Sequence, residues 1–288
     1  MLFRVSNVLL ATLAATTPFF AQAQSDSPSM VPSPAPSPAP SSAPTINHFT
    51  SVYQHGQSGK ITLYDSQNGD WGSDPDAVTM TMDYLYERDA NDKIVGKTGS
   101  KKHSVQNFAS QTFTFSELEK TELFGYTAST FSFESQVSTV GTIKIDTYVM
   151  HEGGTMVTDT NETFEVFPGD FKFNIELVDW EWCNPCNDGT STHIDVGIEI
   201  KGSADVPTED DLGGGIPLVL ASNIKVGEEV ITMPEGYPKI VNEGGKSLFV
   251  FRFPKTGDAT SYIYDPIIGM GQKEERDDGR RGLFSFCG

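Results

Sequence analysis

The sequence has few positive charges for its length. It contains 20 Lys and Arg against 39 Asp and Glu in 288 residues, which gives a formal net charge of −19. A nucleic-acid-binding protein needs a basic surface that displaces counterions from phosphates, and this composition does not provide one. Hydrophobic residues make up 37% of the chain, which is ordinary for a folded protein and excludes a wholly disordered one.

The sequence also lacks an apolar run long enough to cross a bilayer. The run that begins at Val8 is short, and Ala21-Gln22-Ala23 fits the small-x-small pattern that signal peptidase recognises. We therefore predict that residues 1–23 are a signal peptide and that no membrane span follows. The expected location is extracellular, either free or associated with a cell surface or cell wall.

Proline is concentrated in one segment. Residues 24–45 contain seven prolines and seven serines among 22 positions. Because proline fixes φ and has no N–H to donate, this composition predicts an extended linker rather than a helix or a strand. Residues 46–288 are then predicted to form one domain. A division into two domains near residues 202–215, where glycines and acidic residues cluster, is the alternative.

Helical periodicity is scarce in the body of the chain, whereas apolar and polar residues often alternate. Phe171–Val178 and His193–Lys201 show this alternation, which is typical of strands with one buried face. Many such segments separated by Gly- and Asn-rich turns predict an all-β fold, an antiparallel β-sandwich or jelly roll. One short helix is predicted, because Ser116 and Glu119 form a capping box and Gly125 can end the helix.

Cysteine is scarce, with three residues in the chain. Cys183 and Cys186 are predicted to bridge each other in an oxidising compartment, and a bridge from one of them to Cys287 is the alternative. A redox motif would place the first cysteine at a helix N-terminus, whereas a turn follows this pair. The one N-glycosylation sequon begins at Asn161 and lies between two predicted strands.

Two tryptophans beside the cysteine pair suggest a binding site. If the flanking strands form a hairpin that turns at Cys186-Asn187, Trp180 lies opposite His193. Alternation then places six residues on one outer face, namely Glu176, Trp180, Trp182, His193, Asp195 and Glu199. Indole rings beside carboxylates suit a sugar, whose CH-rich face stacks on the ring while its hydroxyls find acceptors. The predicted partner is an extracellular glycan or another cell-surface or matrix component. A bulge near Val178 that turns the tryptophans inward is the alternative.

The common catalytic signatures are missing. No Gly-x-Ser-x-Gly, His-Glu-x-x-His or Walker motif is present in the sequence. We therefore favour a non-catalytic binding module. The alternative is a glycan-active hydrolase, in which Glu176, Asp195 and Glu199 supply a pair of carboxyl groups about 5–5.5 Å apart.

A third hypothesis is an acidic extracellular matrix protein associated with calcium, which the net charge suggests. Asp65, Asn68 and Asp70 crowd one segment and are the candidate calcium ligands. Their spacing does not match an EF-hand loop, and Asp and Asn also favour turns for local reasons. No cofactor other than calcium is expected.

Overall fold

The computed structural model describes residues 50–75, 77–202, 216–243 and 246–269, without the side chain of Glu243. Four predictions fall outside these residues: the signal peptide, the linker, most of the alternative domain boundary and the pairing of Cys287. Within the described residues the fold is an antiparallel all-β sandwich, which confirms the predicted fold class.

Nineteen strands occur in the described residues and are numbered here in chain order. They are β1 (Thr50–Gln54), β2 (Lys60–Asp65), β3 (Val78–Arg88), β4 (Val105–Gln106), β5 (Thr114–Phe115), β6 (Glu119–Leu123), β7 (Tyr126–Val137), β8 (Gly141–Met150), β9 (Gly154–Val157), β10 (Thr163–Val166), β11 (Phe171–Val178), β12 (His193–Lys201), β13 (Leu218–Val219), β14 (Asn223–Val226), β15 (Glu229–Thr232), β16 (Lys239–Glu243), β17 (Lys246–Pro254), β18 (Tyr262–Tyr264) and β19 (Ile267–Ile268).

These strands form two sheets and one separate hairpin. The first sheet has the order β1-β2-β3-β12-β17-β16, with β4 beside β3. The second sheet has the order β15-β14-β18-β11-β8-β7-β5, with β6 beside β7 and β19 beside β11 and β13. The hairpin of β9 and β10 packs Met156 and Val166 against Met150 and Ile267 on the outer side of the second sheet.

Alternating apolar residues from both sheets form one buried core. Because successive side chains of a strand point to opposite faces, every second residue of a central strand can be buried. The predicted inward residues of β11 and β12 all lie in this core: Phe171, Phe173, Ile175, Leu177, Ile194, Val196, Ile198 and Ile200. The alternation in the sequence therefore predicted correctly which face of each strand is buried.

The predicted helix between Ser116 and Gly125 is wrong. This segment contains β6, and the turn Phe124-Gly125 joins it to β7, with φ angles of 50° and 88°. Two positive φ angles are typical of the two-residue turn of a β-hairpin. Ser116 does not cap a helix, because its hydroxyl accepts a hydrogen bond from the Ser132 N–H at 2.8 Å.

The helical segments of the described residues are two 3-10 turns, Ser66–Asn68 and Phe108–Ser110. In the described part of the chain no helix is long and apolar enough to cross a membrane.

The predicted hairpin between β11 and β12 is also wrong. In the second sheet β11 pairs with β8, β18 and β19, whereas in the first sheet β12 pairs with β3 and β17. The segment 179–192 therefore crosses from one sheet to the other instead of turning back within one sheet. Alternation alone identifies the buried face of a strand, but it does not identify the partner strands.

Candidate binding surfaces

The six residues predicted to share one face do not lie together. Glu176 lies on the outer face of the second sheet, whereas His193, Asp195 and Glu199 lie on the outer face of the first sheet. Asp195 and Glu199 are four residues apart on one strand, roughly 13 Å at the usual rise. The structure therefore does not assemble the carboxylate pair that a retaining glycosidase requires.

Trp180 is buried rather than available to a ligand. Its exposed fraction is 0%, and its indole Nε1 donates a hydrogen bond to Glu87 Oε1 at 2.7 Å. The preceding residue, Asp179, has a φ of 51°, which interrupts the strand alternation and turns the indole inward. Trp182 is half-buried and packs edge-on against Tyr262, with ring centroids 5.7 Å apart.

Glu87 anchors the segment that joins the two sheets. Its fully buried carboxylate accepts hydrogen bonds from Trp180 Nε1 and from the Cys183 N–H at 3.0 Å, and His103 Nδ1 lies 3.1 Å away. A buried carboxylate is stable only when such partners replace the water that it loses. Sequence analysis missed this residue, although an acid two positions after the core residue Leu85 is an available signal.

The outer face of the first sheet carries an ion-pair network. Arg252 Nε and Nη2 donate to the two oxygens of Asp195 at 2.7 and 2.8 Å, and Arg88 Nε lies 2.7 Å from Asp195 Oδ2. Asp92 joins Arg252 at 2.9 Å and His193 at 3.0 Å. Burial lowers the pKa of His193 below its usual range, and the nearby Arg252 lowers it further. The guanidinium groups of Arg252 and Arg88 thus pair with the carboxylate of Asp195, the central acid of the predicted site.

The two remaining predicted acids also have cationic neighbours. Lys246 Nζ lies 3.2 Å from Glu199 Oε2 and 2.6 Å from Asp83 Oδ1. On the other sheet, burial raises the pKa of Glu176, while the charge of Lys144 works to lower it. A binding role for either carboxylate stays a prediction.

The candidate calcium ligands form the local hydrogen bonds of a turn. Asp65 Oδ1 accepts from the Gln67 N–H at 2.9 Å, and Asp70 Oδ1 accepts from the Ser73 hydroxyl at 2.8 Å. Asn68 Nδ2 donates to Asp74 Oδ1 at 3.1 Å. Among the described residues, no group of three or more His, Cys, Asp or Glu side chains is arranged to hold a metal ion.

The sequence predicted two covalent features, a disulfide and an N-glycosylation site. Cys183 and Cys186 form a disulfide, which confirms that prediction. Asn161 is exposed in the turn between β9 and β10, so the sequon is accessible, and its glycosylation stays a prediction.

A groove that sequence analysis did not identify lies at one edge of the sandwich. Its volume is about 580 Å³, with β1 on one side and, on the other, Ser129 of β7 and His151, which directly follows β8. Tyr53 lines this groove and stacks on Trp71, with ring centroids 4.8 Å apart and planes 20° apart. The two residues are 40% and 39% exposed, unusually open for large aromatic side chains.

The described part of the chain matches the sequence model of one protein family. Residues 45–211 and 203–287 match the model of the acidic skeletal organic matrix protein family. The two matched segments overlap and together span most of the chain, including both sheets and the hairpin. The acidic composition agrees with the description of this family. The chain belongs to the acidic skeletal organic matrix protein family.

Proposed function

We propose that this protein is a non-catalytic component of an extracellular skeletal matrix, whose carboxylate-rich surface holds divalent cations such as calcium collectively. The observation that carries the proposal is the net charge of −19 in a chain of this family. Exposed acidic side chains are spread over turns and sheet edges rather than gathered in one metal-binding cluster of the described residues.

The edge beside β6 shows how these charges are distributed. Glu117, Glu119 and Glu122 are exposed there, and Lys120 is an exposed base of the same strand. Exposed carboxylates separated by solvent attract counterions through their summed field, which is weak for each ion and screened by salt. Such a surface accumulates cations without the ordered ligand shell of a dedicated calcium site.

Calcium binding by the secreted protein tests this proposal. Equilibrium dialysis at about 20, 150 and 500 mM NaCl should show several calcium ions per chain, with dissociation constants of about 10⁻³ M or weaker. The number bound should fall steeply as NaCl rises. A single tight site that NaCl does not affect, or no binding at the lowest salt, would contradict the proposal.

We propose a non-catalytic role because the predicted catalytic carboxylates lie far apart in the structure. Glu176 lies on a different sheet from Asp195 and Glu199, and Asp195 is held by two arginines. Incubation with soluble glucans and chitin oligosaccharides should release no new reducing ends. Turnover that Glu199→Gln abolishes would support the hydrolase hypothesis instead.

A further inference from the structure

The groove beside β1 differs in charge from the rest of this acidic molecule. Among the described residues, none that lines it is Asp, Glu, Lys or Arg. Its polar groups are hydroxyls and amides, such as Ser51, Tyr64 and Gln54, together with the imidazole of His151, whose Nε2 lies 2.8 Å from the Ser129 hydroxyl. A charged ligand would lose its hydration there without meeting an opposite charge, which is unfavourable. The lining therefore fits an uncharged ligand that carries hydroxyl groups.

The exposed aromatic pair defines the shape of that ligand. Tyr53 lines the groove, whereas Trp71 does not; the indole of Trp71 stacks on one face of the Tyr53 ring and supports it, and Tyr53 stays 40% exposed. His55 packs edge-on against both rings, with centroids 4.9 and 5.1 Å away, and its Nε2 lies 2.8 Å from the Thr62 hydroxyl. These contacts hold the aromatic pair in place before any ligand arrives. A flat ligand face rich in C–H groups can stack on such rings.

A pyranose ring combines both properties, with C–H groups on its faces and hydroxyls around its edge. The groove volume of about 580 Å³ lies within the range that holds a drug-sized ligand, and the groove is open along the sheet edge. We propose that this groove binds a short segment of an uncharged polysaccharide, which stacks on the ring of Tyr53, and that Trp71 supports this ring. The proposal rests on the proposed matrix function and names the polymer to which the protein attaches.

Binding of uncharged and charged oligosaccharides to the full secreted chain tests the proposal. The uncharged probes are chitohexaose, cellohexaose and laminarihexaose, and the charged probe is an alginate hexamer, each titrated by calorimetry. At least one uncharged probe should bind, and alginate should bind more weakly. Failure of all three uncharged probes, or tighter binding of alginate that also depends on Tyr53, would overturn the proposal.

Substitutions at the aromatic pair locate the binding. Tyr53→Ala should weaken binding about tenfold, whereas Tyr53→Phe should keep most of it because the ring remains. Trp71→Ala should weaken binding less than Tyr53→Ala, because Trp71 supports the ring without lining the groove. Ser51→Asp should weaken binding by introducing a charge into the groove. Phe124→Asn is the matched control, since Phe124 is an exposed aromatic residue that does not line the groove. Its backbone φ of 50° is also well suited to asparagine.

Thermal unfolding and calcium uptake separate the remaining interpretations. All variants should keep the wild-type melting temperature within a few degrees and should bind calcium as the wild type does. If the alanine variants of the aromatic pair bind the uncharged probe like the wild type, the groove is not the site and the proposal is wrong. If calcium uptake fails while glycan binding persists, the proposed cation function fails and the groove assignment stands.

Discussion

The two sheets bury charge in different ways. In the first sheet Glu87 is surrounded by uncharged donors, the indole of Trp180 and the N–H of Cys183, together with His103. In the second sheet Lys172 and Asp265 form an ion pair at 2.6 Å, with both side chains 0% exposed. Asp265 Oδ2 has no hydrogen-bond partner within the described part of the chain. Glu87 is thus the better satisfied of the two buried carboxylates.

The buried ion pair also shows opposing shifts of its two groups. Burial lowers the pKa of Lys172 and raises the pKa of Asp265, because each charged form loses hydration, while their mutual attraction partly restores both charges. Lys172 also contacts Asn174, and its ammonium lies 5.7 Å from the ring centre of Tyr148. The comparison indicates that Glu87 stabilises the fold more than the ion pair does, since desolvation offsets much of a buried pair's attraction.

The largest expected effect is at Glu87. Glu87→Ala should lower the free energy of unfolding by about 3–5 kcal/mol, because it leaves several buried donors without an acceptor. Urea unfolding measures this change. Glu181→Gln is the control, since Glu181 is exposed and pairs with Lys101 on the surface, and the unfolding midpoint of this variant should not move. A loss at Glu87 smaller than that at Lys172 would reverse the comparison.

Removing the lysine of the ion pair should have a smaller effect. Lys172→Met should cost about 2–3 kcal/mol near neutral pH, because Asp265 can take up a proton instead of staying charged. The raised pKa of Asp265 determines how the variant's stability depends on pH. At low pH Asp265 is protonated and its unpaired charge is removed, so the loss of unfolding free energy relative to the wild type should grow as pH rises from about 4. Urea unfolding at several pH values checks this. Adding Asp265→Asn should restore part of the loss, and a deficit independent of pH would contradict this account.

The disulfide tests what holds the connecting segment in place. Replacing both Cys183 and Cys186 by Ala should cost about 1–2 kcal/mol, since the two cysteines are three residues apart and the bridge closes only a short loop. Differential scanning calorimetry of the double variant and wild type measures it. A loss as large as that of Glu87→Ala would make the bridge, rather than the carboxylate, the main anchor.

The smallest effect concerns pH and His193 at the surface of the first sheet. Its pKa is lowered by burial and by Arg252, so the unfolded chain binds this proton more tightly than the folded chain. The free energy of unfolding should therefore be unaffected by this group above the pKa of His193 in the unfolded chain, about 6.5, and should decline as pH falls below that value. His193→Gln should flatten this part of the profile in urea unfolding between pH 7 and 5. An unchanged slope would show that other groups cause the decline.

Local patterns in the sequence predicted the local features of the fold. The alternation of Phe171, Phe173, Ile175 and Leu177 predicted a buried face correctly, because the two-residue period is a property of the strand itself. The capping box at Ser116 failed because a tertiary partner, Ser132, uses the same hydroxyl. The spacing of Cys183 and Cys186 was short enough for the disulfide to be predicted without knowledge of the fold.

The binding surfaces depend on contacts that no local pattern contains. One residue with positive φ, Asp179, reverses the side on which Trp180 lies, as the alternative of an interruption near Val178 allowed, although the alternation itself could not decide between the two. The stacked rings of Tyr53 and Trp71 come from different segments, which the pairing of β1 with β2 and the turn after β2 bring together. Sequence analysis could therefore select individual charged and tryptophan residues as candidate binding residues, whereas the uncharged groove could be recognised only from the fold.

The unequal surroundings of the three tryptophans give the protein built-in optical probes. Trp180 lies in the apolar interior, Trp182 lies partly covered beside Lys255, and Trp71 lies open to water. Emission from an indole moves to shorter wavelength as its surroundings become less polar. The fluorescence spectrum is therefore a sum of separable contributions, in which the red side follows the exposed ring and the blue side follows the interior. A ligand beside Trp71 should change the red side alone, whereas a denaturant that exposes Trp180 should move emission from the blue side to the red side, without any label being attached.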